Sequence, residues 1–416
     1  MTTYSRQQRI DMTLDDRLHQ AEGWVYMTGM QALVRLPILQ RTRDAMAGLN
    51  TAGFVSGYRG SPLGGYDQAL VKAQPHLKAH HIVFQPGVNE ELGATAVWGT
   101  QQLALYPQGN KFDGVFGLWY GKGPGVDRCS DVFKHANMAG TTEWGGVIAV
   151  AGDDHMSKSS TAAHQSDHIF KACGLPVFFP ASVQEILDLG LHAFAMSRFS
   201  GVWAGMKTIQ EIVESSATVM IDPDRVQIRL PTDFEMPAGG LHIRWPDPPL
   251  DQEMRLHQYA VKAAIAFARA NHIDKTIFDS PRARLGIVTT GKSYLDVLQA
   301  LEYLGIDHKV AEDIGIRVYK VGMTWPLEPV GIRAFAEGLE DIIVVEEKRS
   351  FIESQMKEYM FNWDVRPHVV GKYDEAGEWI LPSTHELTPA RIARVIAKRL
   401  ARFFQSETID NRLSFL

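Results

Sequence analysis

A carboxylate that opens a helix rich in small residues can hold a proton or a hydrogen bond beside a planar ring. Residues 89–99, from Asn89 and Glu90 through Gly93, Ala94 and Ala96 to Gly99, have that layout. A short apolar run, His81 to Phe84, and the break Pro86-Gly87 come before it, so Glu90 belongs where a strand hands over to a helix. The small residues leave one helix face nearly bare, open to a planar ring or to a second stretch of backbone. An ordinary helix accounts for the same residues, because acidic side chains in a first turn complement the helix dipole and small residues suit packing seams.

Three further stretches carry groups able to do chemistry. Gly57-Tyr58-Arg59-Gly60-Ser61-Pro62 is a glycine-rich loop in which backbone amides can face a ligand and Arg59 can offer a bidentate fork to a carboxylate. It lacks the Lys-Ser/Thr ending of a phosphate-binding loop and the spacing of a dinucleotide fingerprint, and a tight turn would use the same glycines. Tyr120 to Arg128 places Lys122 and Arg128 around Gly121, Gly123 and Gly125, a basic turn that either receives an anion or is simply solvated. A helix start with Lys134 and His135 follows it. Gly152-Asp153-Asp154-His155, with His164, Asp167 and His168 downstream, supports a rival reading as a divalent-metal hydrolase. The spacing lacks the glutamate of the His-Glu-x-x-His helix motif, and polar loop networks use the same residue types.

The elements that must position these groups alternate between strand and helix. Buried-strand runs over 51–58, 114–120, 146–152, 176–179 and 201–206 are separated by helical patterns such as 183–198. This predicts an α/β fold with a mostly parallel sheet and helices on both faces, its ligands beyond the carboxyl ends of the strands. The first domain covers residues 22–230, after a polar lead-in over 1–21. A proline-rich linker with one amphipathic helix occupies 231–282. A second, smaller doubly wound domain covers 283–404, with strands at 284–291, 316–321 and 342–346. A polar tail, 405–416, has little to pack with and suggests a chain that continues or docks on a partner.

Composition narrows the function classes. A formal charge of -6 and the absence of a basic stripe with interleaved aromatics argue against nucleic-acid binding. Cys129 and Cys173 are the only cysteines, too few for a disulfide framework or for a zinc or iron-sulfur ligand set. With no apolar signal segment and no membrane-length run, the expected location is the cytoplasm.

Four segments in order resemble the alpha part of indolepyruvate ferredoxin oxidoreductases: Gly57 to Pro62, Asn89-Glu90 with Gly99 beyond, Phe133-Lys134-His135, and Gly145 to Asp154. In the second domain Gly286 to Gly291, Gly322 to Leu327 and Val344 to Glu347 continue the likeness. The resemblance implies two doubly wound sheets, a thiamine diphosphate pyrimidine-binding domain followed by a transketolase C-terminal-like domain. It implies that Glu90 hydrogen-bonds the pyrimidine N1′, that Gly60, Ser61 and Pro62 line the cofactor, and that Arg59, Ser61, Lys122, Lys134 and His135 face the 2-oxoacid substrate. Arg59 and Ser61 depart from the family's Tyr-Pro-Gly-Thr-Pro loop. The family oxidises an aryl 2-oxoacid of the indolepyruvate kind to acyl-CoA and carbon dioxide, with coenzyme A as co-substrate and ferredoxin as acceptor. No Gly-Asp-Gly with its following asparagine and no cysteine cluster occur here. By the resemblance, Mg2+ and [4Fe-4S] clusters therefore belong to diphosphate-binding and gamma-like domains on the same longer polypeptide or another subunit, and a homodimer is expected. The alternatives are the metal-dependent hydrolase using Asp153, Asp154, His155, His164 and His168, and a non-catalytic docking subunit.

Overall fold

The computed structural model describes residues 13–416; residues 1–12 of the expected lead-in lie outside the described residues. Fourteen strands occur among them: β1 (Gly23–Thr28), β2 (Thr51–Gly57), β3 (Ile82–Phe84), β4 (Gly114–Lys122), β5 (Val147–Asp153), β6 (Val177–Phe178), β7 (Ala204–Ile209), β8 (Ser216–Ile221), β9 (Lys275–Phe278), β10 (Leu285–Thr290), β11 (Ile316–Val321), β12 (Met323–Trp325), β13 (Asp341–Val345) and β14 (His368–Val370). Seven of them form a sheet in the order β12-β6-β7-β5-β4-β2-β3. All its pairings are parallel except that of β12.

Side-chain alternation divides that sheet into two cores. Phe116, Leu118, Ile148 and Val150 point to one face, under the helices Gly29–Met46 and Val183–Ser200. Trp119, Val147, Ala149 and Ala151 point to the other, where Phe133, Phe170 and Trp203 complete a mainly aromatic cluster. Trp119 packs edge-on against Phe133 at 4.9 Å between ring centres. Each such large side chain, taken fully out of water, contributes on the order of 2–3 kcal/mol. The aromatic cluster lies directly under the helix Glu90–Thr100 and fixes the floor of the candidate site.

The second sheet has the order β14-β13-β10-β11-β9, parallel except for β9. The fold class expected from the sequence, two doubly wound mostly parallel sheets, is the one observed. Two boundaries move. Residues 275–278, expected within the linker, are the edge strand β9, with Phe278 in the second core. Residues 405–416 form a helix, Glu407–Leu413, whose Ile409 and Leu413 pack on that same core, so the tail is not without contacts. β1 and β8 add a two-stranded antiparallel ribbon. β12 leaves the second domain to pair with β6, and Phe179 N–H donates to Gly322 C=O at 3.0 Å, so backbone pairing joins the domains. No helix among the described residues is long and apolar enough to cross a membrane.

Candidate active site

The carboxyl ends of β2 and β4 and the start of the helix Glu90–Thr100 meet at one place. The helix begins at Glu90 because Asn89, in extended conformation, caps it: its Oδ1 accepts from Leu92 N–H at 2.8 Å. Trp119 Nε1 donates to Glu90 C=O at 2.9 Å and ties this first turn to the aromatic floor. A Cβ placed at Gly93 would stand 3.0 Å from both Cα and N of Gly57. The bare helix face read from the sequence therefore lies, at Gly93, against the protein's own strand; Gly99 faces open space.

The Glu90 carboxylate is half-buried and rests on the backbone of Gly125, where a Cβ would come 2.5 Å from Glu90 Cγ and 3.0 Å from Oε1. No residue other than glycine fits that position without moving the carboxylate. Gly60 is equally confined, its missing Cβ 2.9 Å from Lys122 Cβ. The Lys122 ammonium donates to Ser159 C=O at 2.7 Å, so it anchors the loop after β5 over the strand ends. Arg59 and Ser61 are exposed and Pro62 is buried against Gly152.

The residues of the metal reading are engaged differently. Asp154 accepts from the N–H groups of Lys158 (2.9 Å) and Ser159 (2.8 Å), which shapes the loop. Asp153 accepts from Ser166 N–H (2.8 Å) and Oγ (2.5 Å). Full burial works to raise the Asp153 pKa, yet His164, Lys207 and Ser166 together hold it well below the usual carboxylate range. His164 Nε2 lies 2.8 Å from Asp127 Oδ2, and its Nδ1 lies 3.5 Å from Asp153 Oδ1, a charge contact longer than a good hydrogen bond. Burial disfavours the charged ring, but the two aspartates outweigh it and raise the His164 pKa. His155 is buried and pushed well below its ordinary value by desolvation and by Lys207. His168 stacks edge-on with Phe351 at 5.2 Å. His164 precedes the helix Asp167–Ala172 and His168 lies within it, so the two histidines do not share a helix face. Among the described residues no three His, Cys, Asp or Glu side chains converge as a metal-ligand set.

Residues 275–416 match the indolepyruvate oxidoreductase domain family. The A subunit of indolepyruvate oxidoreductase from Pyrococcus abyssi is 27% identical over 282 residues, which is 66% of this chain and 40% of that protein. The A subunit from Methanothermobacter marburgensis is 24% identical over 394 residues, 93% of this chain and 56% of that protein. The chain is thus similar in sequence to A subunits of indolepyruvate oxidoreductase. It spans roughly half the length of the curated relatives it matches. Among solved structures, a 2-oxoglutarate:ferredoxin oxidoreductase from Magnetococcus marinus, with 2-oxoglutarate, coenzyme A and succinyl-CoA bound, superposes with a TM-score of 0.62 at 15% identity, covering 91% of this chain and 65% of that one. An inactive tetrameric split-gene transketolase gives 0.52 at 12% identity, covering 91% and 99%. Both share the fold.

In this chain Glu90, Gly60 and Lys122 lie at neighbouring strand ends, with Arg59, Ser61 and Pro62 on the Gly60 loop. Lys134 and His135 are exposed on the helix Ser130–Ala139. His135 stacks on Trp98 at 6.3 Å, about two helical turns from Glu90, so the structure does not bring it to the carboxylate. Gly125 and Asp127 were not singled out from the sequence as site residues. The Gly123-Pro124-Gly125 run was the available signal, since two glycines flanking a helix start invite close approach by another group.

Proposed function

We propose that this chain supplies the pyrimidine-binding part of a thiamine diphosphate-dependent 2-oxoacid oxidoreductase. On this reading the substrate is an aryl 2-oxoacid of the indolepyruvate kind, coenzyme A takes the acyl group and ferredoxin takes the electrons. The observation that carries the proposal is the Glu90 carboxylate, fixed at a capped helix start and pressed on a glycine that admits no side chain. A planar pyrimidine with a proton at N1′ fits such an acceptor: a carboxylate with an open side.

Thiamine diphosphate, when bound, supplies the electron sink that lets a 2-oxoacid lose carbon dioxide. Glu90 holds the proton at pyrimidine N1′; Trp119 and Asn89 fix the helix turn that carries it, and Gly125 leaves room for its side chain. Gly60, Ser61 and Pro62 form the wall beside it. Arg59, Ser61 and Lys122 offer donors to the substrate carboxylate, with Lys134 and His135 further out.

The same reading explains the apolar surface around Glu90. Val88 is 82% exposed and Leu92 53%, on either side of a residue that must work away from bulk water. A diphosphate-binding domain, bringing Mg2+, covers this surface. A gamma-like domain and [4Fe-4S] clusters complete the electron path, the assembly contains two copies of this chain, and it works in the cytoplasm. The chain alone turns over no 2-oxoacid. In the complete enzyme Glu90→Gln lowers 2-oxoacid turnover by about 10²- to 10⁴-fold with folding unchanged, while Glu91→Gln, at an exposed neighbouring position, retains activity. Normal turnover by E90Q sinks the assignment.

A further inference from the structure

Away from Glu90, a cleft of about 400 Å³ opens between the two domains, within the range of small-ligand sites. One wall is the helix Val183–Ser200, which presents Glu185, Asp188 and His192; the other includes Lys275 and Lys320 on β9 and β11. Lys275 and Lys320 are directly opposite in the antiparallel register, a placement of like charges that is unfavourable unless something neutralises it.

The carboxylates of the cleft are already engaged. Glu185 pairs with Lys320 and accepts from Ala181 N–H at 2.8 Å; Asp188 takes Arg225 at 3.2 Å and Gln184 at 2.9 Å. Among the described residues Lys275 and Arg229 have no carboxylate partner. His192 Nδ1 is buried with no hydrogen-bond partner. Its ring is held neutral, with a pKa depressed to about 4, by burial first and then by Lys275 and Arg43. Lys275 also acts to lower the pKa of Lys320. Asn271 holds the Arg229 segment in place through both backbone groups of Arg229, each at 2.8 Å.

We propose that this cleft is a second binding site, for a phosphate-type dianion held by Lys275 and Arg229. A phosphoryl group matches the surplus positive charge of the cleft. Its occupant touches both domains, so binding resists their separation. The proposal is independent of the thiamine reading.

Calorimetric titration of the full chain with inorganic phosphate and, separately, with glycerol 3-phosphate tests it in phosphate-free buffer at low salt. The expected result is saturable binding at one site, weakened at least fivefold by Lys275→Gln or Arg229→Gln and at least twentyfold by both. Both side chains are exposed, so the variants fold, which circular dichroism checks. Lys111→Gln, elsewhere on the surface, leaves binding unchanged. Tighter binding of glycerol 3-phosphate assigns the site to a phosphate ester, and equal binding assigns it to free phosphate. Absence of saturable binding by both probes, or undiminished binding in the double variant, overturns the proposal.

Discussion

The carboxyl ends of the two parallel sheets are built from the same topology and finished in opposite ways. At the first sheet β2 runs out into a glycine-rich loop, and Glu90, Arg59 and Ser61 remain accessible, whereas Asp153 and Asp154 at the end of β5 are buried and engaged. At the second sheet β13 runs into Glu346 and Glu347, both buried. Glu346 accepts from the N–H groups of Phe351 (2.9 Å), Ile352 (2.9 Å) and Glu353 (3.1 Å), and Glu347 from Leu387 N–H at 3.2 Å with Lys292 3.7 Å away. Burial is the main cause that raises both their pKa values, and nearby lysines oppose it. Glu346, with three backbone donors on its oxygens, has little left for a ligand. The comparison teaches that position at a strand end does not make an acidic residue functional; unspent hydrogen-bonding capacity does.

The comparison breaks if the second-domain carboxylates serve catalysis. Glu346→Ala leaves three buried N–H groups without an acceptor and costs about 3 kcal/mol of stability, read by denaturant unfolding. Turnover per folded enzyme then stays near the wild-type value. Gly125→Ala acts in the reverse sense. The added methyl displaces the Glu90 carboxylate, and turnover of the complete enzyme falls about 10²-fold while the melting temperature changes little. A G125A enzyme of full activity would show that the carboxylate's resting place is immaterial.

His164 sharpens the same contrast through pH. Its folded pKa is raised, so the stabilisation it lends through Asp127 and Asp153 is complete below its unfolded pKa, about 6.5, and is lost as pH rises through the higher folded value. The stability gap between wild type and His164→Gln is therefore widest near pH 6 and narrows with increasing pH. A gap independent of pH would mean that the ring is held neutral.

Much of the fold was legible because buried parallel strands read as short apolar runs between helical patterns, as in Val147 to Asp153. What escaped was short or two-faced. β1 alternates exposed Trp24 and Tyr26 with buried Val25 and Met27, and its last residues merge with the helix that follows. β12 is three residues long and belongs to the neighbouring domain's sheet, which no local pattern encodes. The Glu407–Leu413 helix was masked by its charges, although Ile409 and Leu413 stand one turn apart. Glu90 was visible as a type and a position. Its seat on Gly125 was not, because contact between one helix start and the helix Gly123–Arg128 after another strand is fixed only by the sheet between them.

Deuterium exchange at the thiazolium C2 of thiamine diphosphate, measured in the complete enzyme for wild type and Glu90→Gln, tests the central claim most directly. The account predicts that E90Q still binds the cofactor but exchanges at least 100-fold more slowly, as loss of a positioned proton-holding group requires. Exchange at the wild-type rate in E90Q would contradict it.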